Sequence, residues 1–252
     1  MSPEETALSV IETSIKLPFV KVNREEFLVK QFRNTSVKAT DLLEKGPEKL
    51  FSKKELDEIA DKVISSNVLK STSASFATGL PGGIAVAATI PADLAQFYGF
   101  VLKIAQEISY VYGYKSLFDE NNELTDEAKN HLILFMGVML GVTAAGSTIR
   151  VASIQASKTA LQQIPKQALT KTTFYPILKK VLKIFGIKLT KSTFGKGISK
   201  IIPVVGGVVS GSLNYASMKP MAKNLKNELG KIVDYTEEDY LKDIEVVEKN
   251  IK

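Results

Sequence analysis

Apolar positions along the chain recur at three- and four-residue spacing between helix-capping residues, and period-two alternation is hard to find anywhere. Ser2-Pro3-Glu4-Glu5 supplies a cap, a first-turn proline and two acids where a helix over 3–16 begins. Asn23 and Glu26 have capping-box spacing for a helix to about Arg33, and a short helix near 37–45 is stopped by Gly46-Pro47. Ser52 and Glu55 open a helix over about 53–70. Residues 71–92 carry no charge and are broken by Gly79-Leu80-Pro81-Gly82-Gly83. A helix restarts at Pro91 and runs to Gly113. After a turn at Asp119–Asn122, Thr125-Asp126-Glu127 announces another, running through the uncharged stretch 132–149. A further uncharged run spans 201–218, and Thr236 caps a polar helix to about Asn250. The pattern predicts an all-α fold, a single multi-helix bundle over 1–252 with long central glycine-containing apolar helices. Mixed-charge helices occupy 1–70, the core 71–235 and a polar C-terminal helix 236–252.

The uncharged runs admit two readings. Eighteen helical residues span roughly 27 Å, just short of a ~30 Å hydrocarbon layer. Gly137 with Gly141, and Gly207 with Gly211, have the four-residue spacing that flattens one helix face and lets backbones approach closely. Such runs are either tightly packed core helices or segments that contact a bilayer. Pro81, Pro91, Asp93, Pro203 and Asn214 argue against insertion of the first and third runs, leaving 132–149 as the candidate span.

Composition excludes several chemistries. Among 252 residues there is no Cys, so disulfides, thiolate metal sites and cysteine nucleophiles are out, and a single His precludes a multi-histidine metal centre. The net charge of +6 is a cancellation: residues 128–227 hold fifteen basic side chains and no acid, whereas the flanks hold 18 basic against 27 acidic. Within the acid-free stretch, 174–191 projects as a basic amphipathic helix. Leu182 and Phe185 fall on its apolar side and Lys179, Lys180, Lys183 and Lys191 on the other, with Lys188 out of place. This pattern suits the interface of an anionic membrane, and equally an ordinary core helix with a solvated lysine face. Nucleic acid is disfavoured, because only three residues are Arg and aromatic residues in the basic half are few.

No nucleotide-binding, hydrolase-elbow, zincin or EF-hand motif is present, and no cofactor is implied. Asp93, alone in an apolar region, and His131 are the weak catalytic candidates; a helix N-terminal role for Asp93 and a capping or partly buried structural role for His131 are the favoured readings. The acids from Asp119 to Glu127 lack the spacing of a metal loop. The opening MSPEETALSV lacks the basic and apolar regions of a secretory signal, so the cytoplasm is the expected compartment.

The segment TGLPGGIAVAATIPADLAQFYGFVLKIAQEISYVYGY (78–114) resembles the signature region of the bacterial EcsC-like family. IIPVVGGVVSGSLNYASMKPMAKNLKNEL (201–229) resembles that family's glycine-rich C-terminal segment. The resemblance implies a helical, cytoplasmic, membrane-associated protein and supplies no catalytic residues. Together these features set the expectation of peripheral association with the inner face of the cell membrane, or lipid binding, accessory to transport or envelope maintenance. The partner would be an anionic membrane surface or lipid, with a membrane protein as a further partner. Lys179, Lys180, Lys183, Lys188, Lys191, Leu182 and Phe185 would make the contact, while Gly137, Gly141, Gly207 and Gly211 would pack helices closely. The alternatives are a lipid-acting hydrolase or transferase and a triggered membrane-inserting protein.

Overall fold

The computed structural model describes residues 1–72, 92–121, 123–156, 171–194 and 211–251. Ten α-helices lie in them: α1 (Pro3–Ile15), α2 (Arg24–Phe32), α3 (Ala39–Lys45), α4 (Lys53–Thr72), α5 (Ala92–Val111), α6 (Asp126–Met139), α7 (Thr143–Ala156), α8 (Lys171–Phe194), α9 (Gly211–Gly230) and α10 (Glu237–Ile251). A 3-10 turn, Pro47–Lys49, joins α3 to α4. The only extended pairing among the described residues is the bridge between Phe118 and Leu124. The protein is all-α.

Caps form where the spacing places them. Ser2 accepts from the Glu5 N–H and Glu5 accepts from the Ser2 N–H, closing the box at α1. Asn23 caps α2 and Thr125 caps α6, while Ser52 with Glu55 and Thr236 with Asp239 close reciprocal pairs at α4 and α10. Each pairing satisfies N–H groups that a first turn leaves without intrahelical partners.

The stretch 132–149 is not one helix. Gly141 adopts φ +82°, the Val142 N–H donates to the Gly137 carbonyl at 2.8 Å, and the Gly141 N–H donates to Val138 at 2.9 Å. That pair of bonds is a Schellman cap, and it ends α6 before α7 begins. Gly141 is therefore a helix terminator rather than a packing surface; a Cβ added there meets nothing within 4 Å. Alone, the 14 residues of α6 span only ~21 Å. Among the described residues, no helix is long and apolar enough to cross a membrane. Gly137 does the other job: a Cβ would sit 2.7 Å from Val181 and 2.8 Å from Ala145, so its bare backbone draws α6 against α7 and α8. Gly207 lies outside the described residues, as do the surroundings of Gly211 at the start of α9.

The centre of the bundle is α5, whose Val101, Leu102, Ile104, Ala105 and Ile108 are completely buried. An apolar surface on nearly every face requires partners all round. They are α1 and α4 along its length, with α6 and α9 completing the enclosure. Its buried Gln106 donates to the Val20 and Leu102 carbonyls, and Glu107 pairs with Lys103 and accepts from Asn67.

The acid-rich ends of the chain fold over its acid-free middle. Lys129 pairs with Glu12 at 2.5 Å and Lys226 with Asp61 at 2.7 Å. Arg150 on α7 grips Asp243 of α10 through two bonds of 2.6 Å and forms an ion pair with Glu228, for which Gly146 leaves room. Burial works against ionisation of Asp243, but hydrogen bonds from Arg150 and Tyr235 outweigh it and hold the carboxyl below its ordinary range. Part of the charge asymmetry is thus consumed within the fold.

Candidate functional site

Two surfaces carry unspent polar chemistry. The first is the outer face of α8. Tyr175, Lys179 and Lys183 follow one another at four-residue spacing and share one stripe of the helix. All three are exposed, Tyr175 to 63%. Lys179 and Lys183 have no ion-pair or hydrogen-bond partner among the described residues. Beside them, exposed Lys180 donates to Asn250 of α10 at 2.8 Å. Tyr175 was not among the residues expected from sequence, although its spacing from Lys179 and Lys183 was there to be read.

The rest of the expected contact set is employed elsewhere. Phe185 is completely buried, its ring meeting Tyr98 edge-on at 4.7 Å, and Leu182 is packed against the core. Both point inward because α8 lies along α1 and also against α6, and that packing removes its apolar face from water. At Gly186 the chain of α1 comes so close that a Cβ would collide with the Pro3 backbone. Lys188 turns away from the stripe and donates to the Leu140 carbonyl at 2.9 Å, satisfying the exposed end of α6; burial lowers its pKa. The side chain of Lys191 lies outside the described residues.

His131 stands in an aromatic cluster, edge-on to Tyr114 at 5.7 Å and stacked on Phe135 at 6.1 Å. Burial lowers its pKa, with Glu127 opposing, so the neutral ring is favoured. It serves packing there. Asp93 is the second residue of α5, and its side chain lies outside the described residues. Among the described residues no group of three or more His, Asp and Glu converges as a metal site.

The second surface is a cleft of about 840 Å³ where the α1–α2 connection, the turn after α3 and the segment after α5 meet. Gly113, at φ +88°, closes a Schellman cap on α5: Tyr114 N–H donates to the Ser109 carbonyl and Gly113 N–H to Tyr110. That turn aims the Tyr114 carbonyl at Arg24, whose Nε–H donates to it at 2.8 Å. It also leaves a notch into which Glu48 fits, since a Cβ on Gly113 or on Gly46 (φ +87°) would overlap the Glu48 carboxyl. Glu48 Oε2 is buried without a hydrogen-bond partner. Burial raises the Glu48 pKa despite a backbone hydrogen bond and the charges of Lys49 and Arg24, and burial lowers that of Arg24. Gly46 and Gly113 marked helix ends in the sequence, but none of these residues stood out as part of a site, because three distant segments must fold together before they form one.

No family model, curated protein or solved structure matches this chain.

Proposed function

We propose that the protein associates peripherally with an anionic membrane surface through the outer face of α8, on the cytoplasmic side of the cell membrane. The observation that carries this reading is the exposed Tyr175–Lys179–Lys183 stripe, set within a hundred residues that contain no acid. Tyrosine favours the headgroup layer, where ring and hydroxyl find different surroundings, and lysines extend their stems to place ammonium groups at phosphates. The attachment is electrostatic rather than insertive, because the apolar side of α8 is committed to the core. Each lysine near an anionic leaflet contributes about 1 kcal/mol, so the stripe provides a weak, reversible, salt-sensitive attachment. An accessory role in membrane transport or envelope maintenance accords with the EcsC-like resemblance of residues 78–114 and 201–229.

Flotation with vesicles tests the reading. Vesicles containing phosphatidylglycerol should carry the wild type at low salt, phosphatidylcholine vesicles should not, and the signal should fade above ~0.15 M salt as the Debye length falls to ~8 Å. The double substitution Lys179→Gln and Lys183→Gln should weaken binding by roughly 30-fold, the equivalent of ~2 kcal/mol. Equal recovery with neutral and anionic vesicles, or none with either at low salt, would overturn the proposal.

A further inference from the structure

We propose that the cleft beside Gly113 binds a zwitterionic small molecule of the α-amino-acid class, its carboxylate on Arg24 and its ammonium on Glu48. Two opposite charges share this concavity without meeting. Arg24 lines the cleft half-buried, and only its Nε–H is spent, on Tyr114. Its two terminal nitrogens have no partner among the described residues. Glu48 lines the same cleft with a buried, unpartnered carboxylate oxygen, and no ion pair joins it to Arg24. Leaving the buried Glu48 oxygen unsatisfied is costly, and a ligand that donates to the Glu48 carboxyl while its other end takes the open Arg24 fork offsets that cost.

The chemistry of the two ends defines what fits. A guanidinium anchored through Nε presents a planar fork that matches the two oxygens of a carboxylate. An ammonium brings three donors to a carboxyl whose Oε2 has none. The remaining lining favours a dipolar ligand over a polyanion. Lys49 and Lys115 make no ion pair or hydrogen bond among the described residues, but Glu25, Glu44 and Asp119 share the rim, so the field of the cleft is mixed in sign. Val22, Leu43 and Phe118 add apolar wall for a side chain. The volume lies within the range usual for small-molecule sites. None of these residues belongs to the α8 stripe, and the two proposals stand or fall separately.

The experiment is calorimetry and ligand-dependent thermal unfolding on the full chain with the twenty L-amino acids, first pooled and then singly. Each binding amino acid is compared with its N-acetyl derivative, and inorganic phosphate is run alongside. The expected result is saturable binding of at least one free amino acid, weakened roughly 10- to 100-fold by N-acetylation. Arg24→Lys, which keeps the charge and loses the fork, and Glu48→Gln should each cause a loss of similar size while vesicle binding persists. Because N-acetylation alters the ligand alone, its outcome stands even where a variant fails to fold. Absence of saturable binding by all twenty, equal binding of the acetylated forms, or tighter binding of phosphate than of any amino acid would each overturn the proposal.

Discussion

Truncating Phe185 to alanine separates a core α8 from a lipid-facing one. The ring is completely buried and meets Tyr98 at 4.7 Å, so its loss removes apolar burial and an aromatic pair and leaves a cavity. Phenylalanine-to-alanine changes at such sites cost ~3–5 kcal/mol. For a chain of this size each kcal/mol lowers the midpoint by roughly 2–4 °C, so Phe185→Ala should melt about 6–20 °C below the wild type. The assay is thermal unfolding followed by circular dichroism at 222 nm, with vesicle flotation of the same preparations below the transition. Tyr175→Ala is the companion variant: on an exposed side chain it should stay within ~0.5 kcal/mol of wild-type stability and weaken flotation. A Phe185→Ala protein that melts like the wild type but no longer floats would refute the inward placement of this face, and with it the electrostatic mode of attachment.

Gly141→Ala should cost ~1–2 kcal/mol through the strain of a Cβ at φ +82°, whereas Gly137→Ala should cost ~1–3 kcal/mol by overpacking against Val181 and Ala145. Relief of the Gly137→Ala penalty by Val181→Ala, with no relief for Gly141→Ala, would show the difference in denaturant melts. Arg150→Ala should destabilise by ~3–5 kcal/mol because it leaves the buried Asp243 carboxylate without its cation, whereas Glu228 keeps its pair with Lys231. The folded-state pKa of Asp243 is depressed, so its stabilisation is present above the unfolded value near ~3.9 and is lost as pH falls through the folded value. Midpoints of Asp243→Asn should accordingly be lower than wild type at pH 7 and converge with it in strong acid. Glu48 has the opposite sign: its raised pKa means that ionisation costs stability as pH rises, fully so above the folded value. Glu48→Gln should therefore melt above the wild type at pH 8, with the gap closing near pH 4.

The elements were legible because their signals are local. Ser2 with Glu5, Asn23, Ser52 with Glu55, Thr125, and Thr236 are short-range devices whose hydrogen bonds lie within three residues, and they open helices where their spacing indicates. Gly46 was equally plain, with a proline behind it. Gly141 was harder, since a four-residue glycine spacing describes both a packing face and a terminator. Which applies depends on whether a neighbouring helix approaches, as one does at Gly137 and none does at Gly141.

Amphipathicity likewise divides a helix surface without naming what covers its apolar half. For α8 the cover is α1, which approaches closely enough to require Gly186, and so Phe185 and Leu182 face protein. The acid-free middle was visible in the linear charge count. Its partial neutralisation by Glu12, Asp61 and Asp243 appears only when segments 93 to 165 residues apart come into contact. The cleft of Arg24, Glu48 and Gly113 follows the same logic at its extreme. Helix type and the capped helix starts are decided by bonds between near neighbours and are written in the sequence, whereas the role of a glycine such as Gly141, the burial of a face, the pairing of a charge and the existence of a cavity depend on what packs alongside.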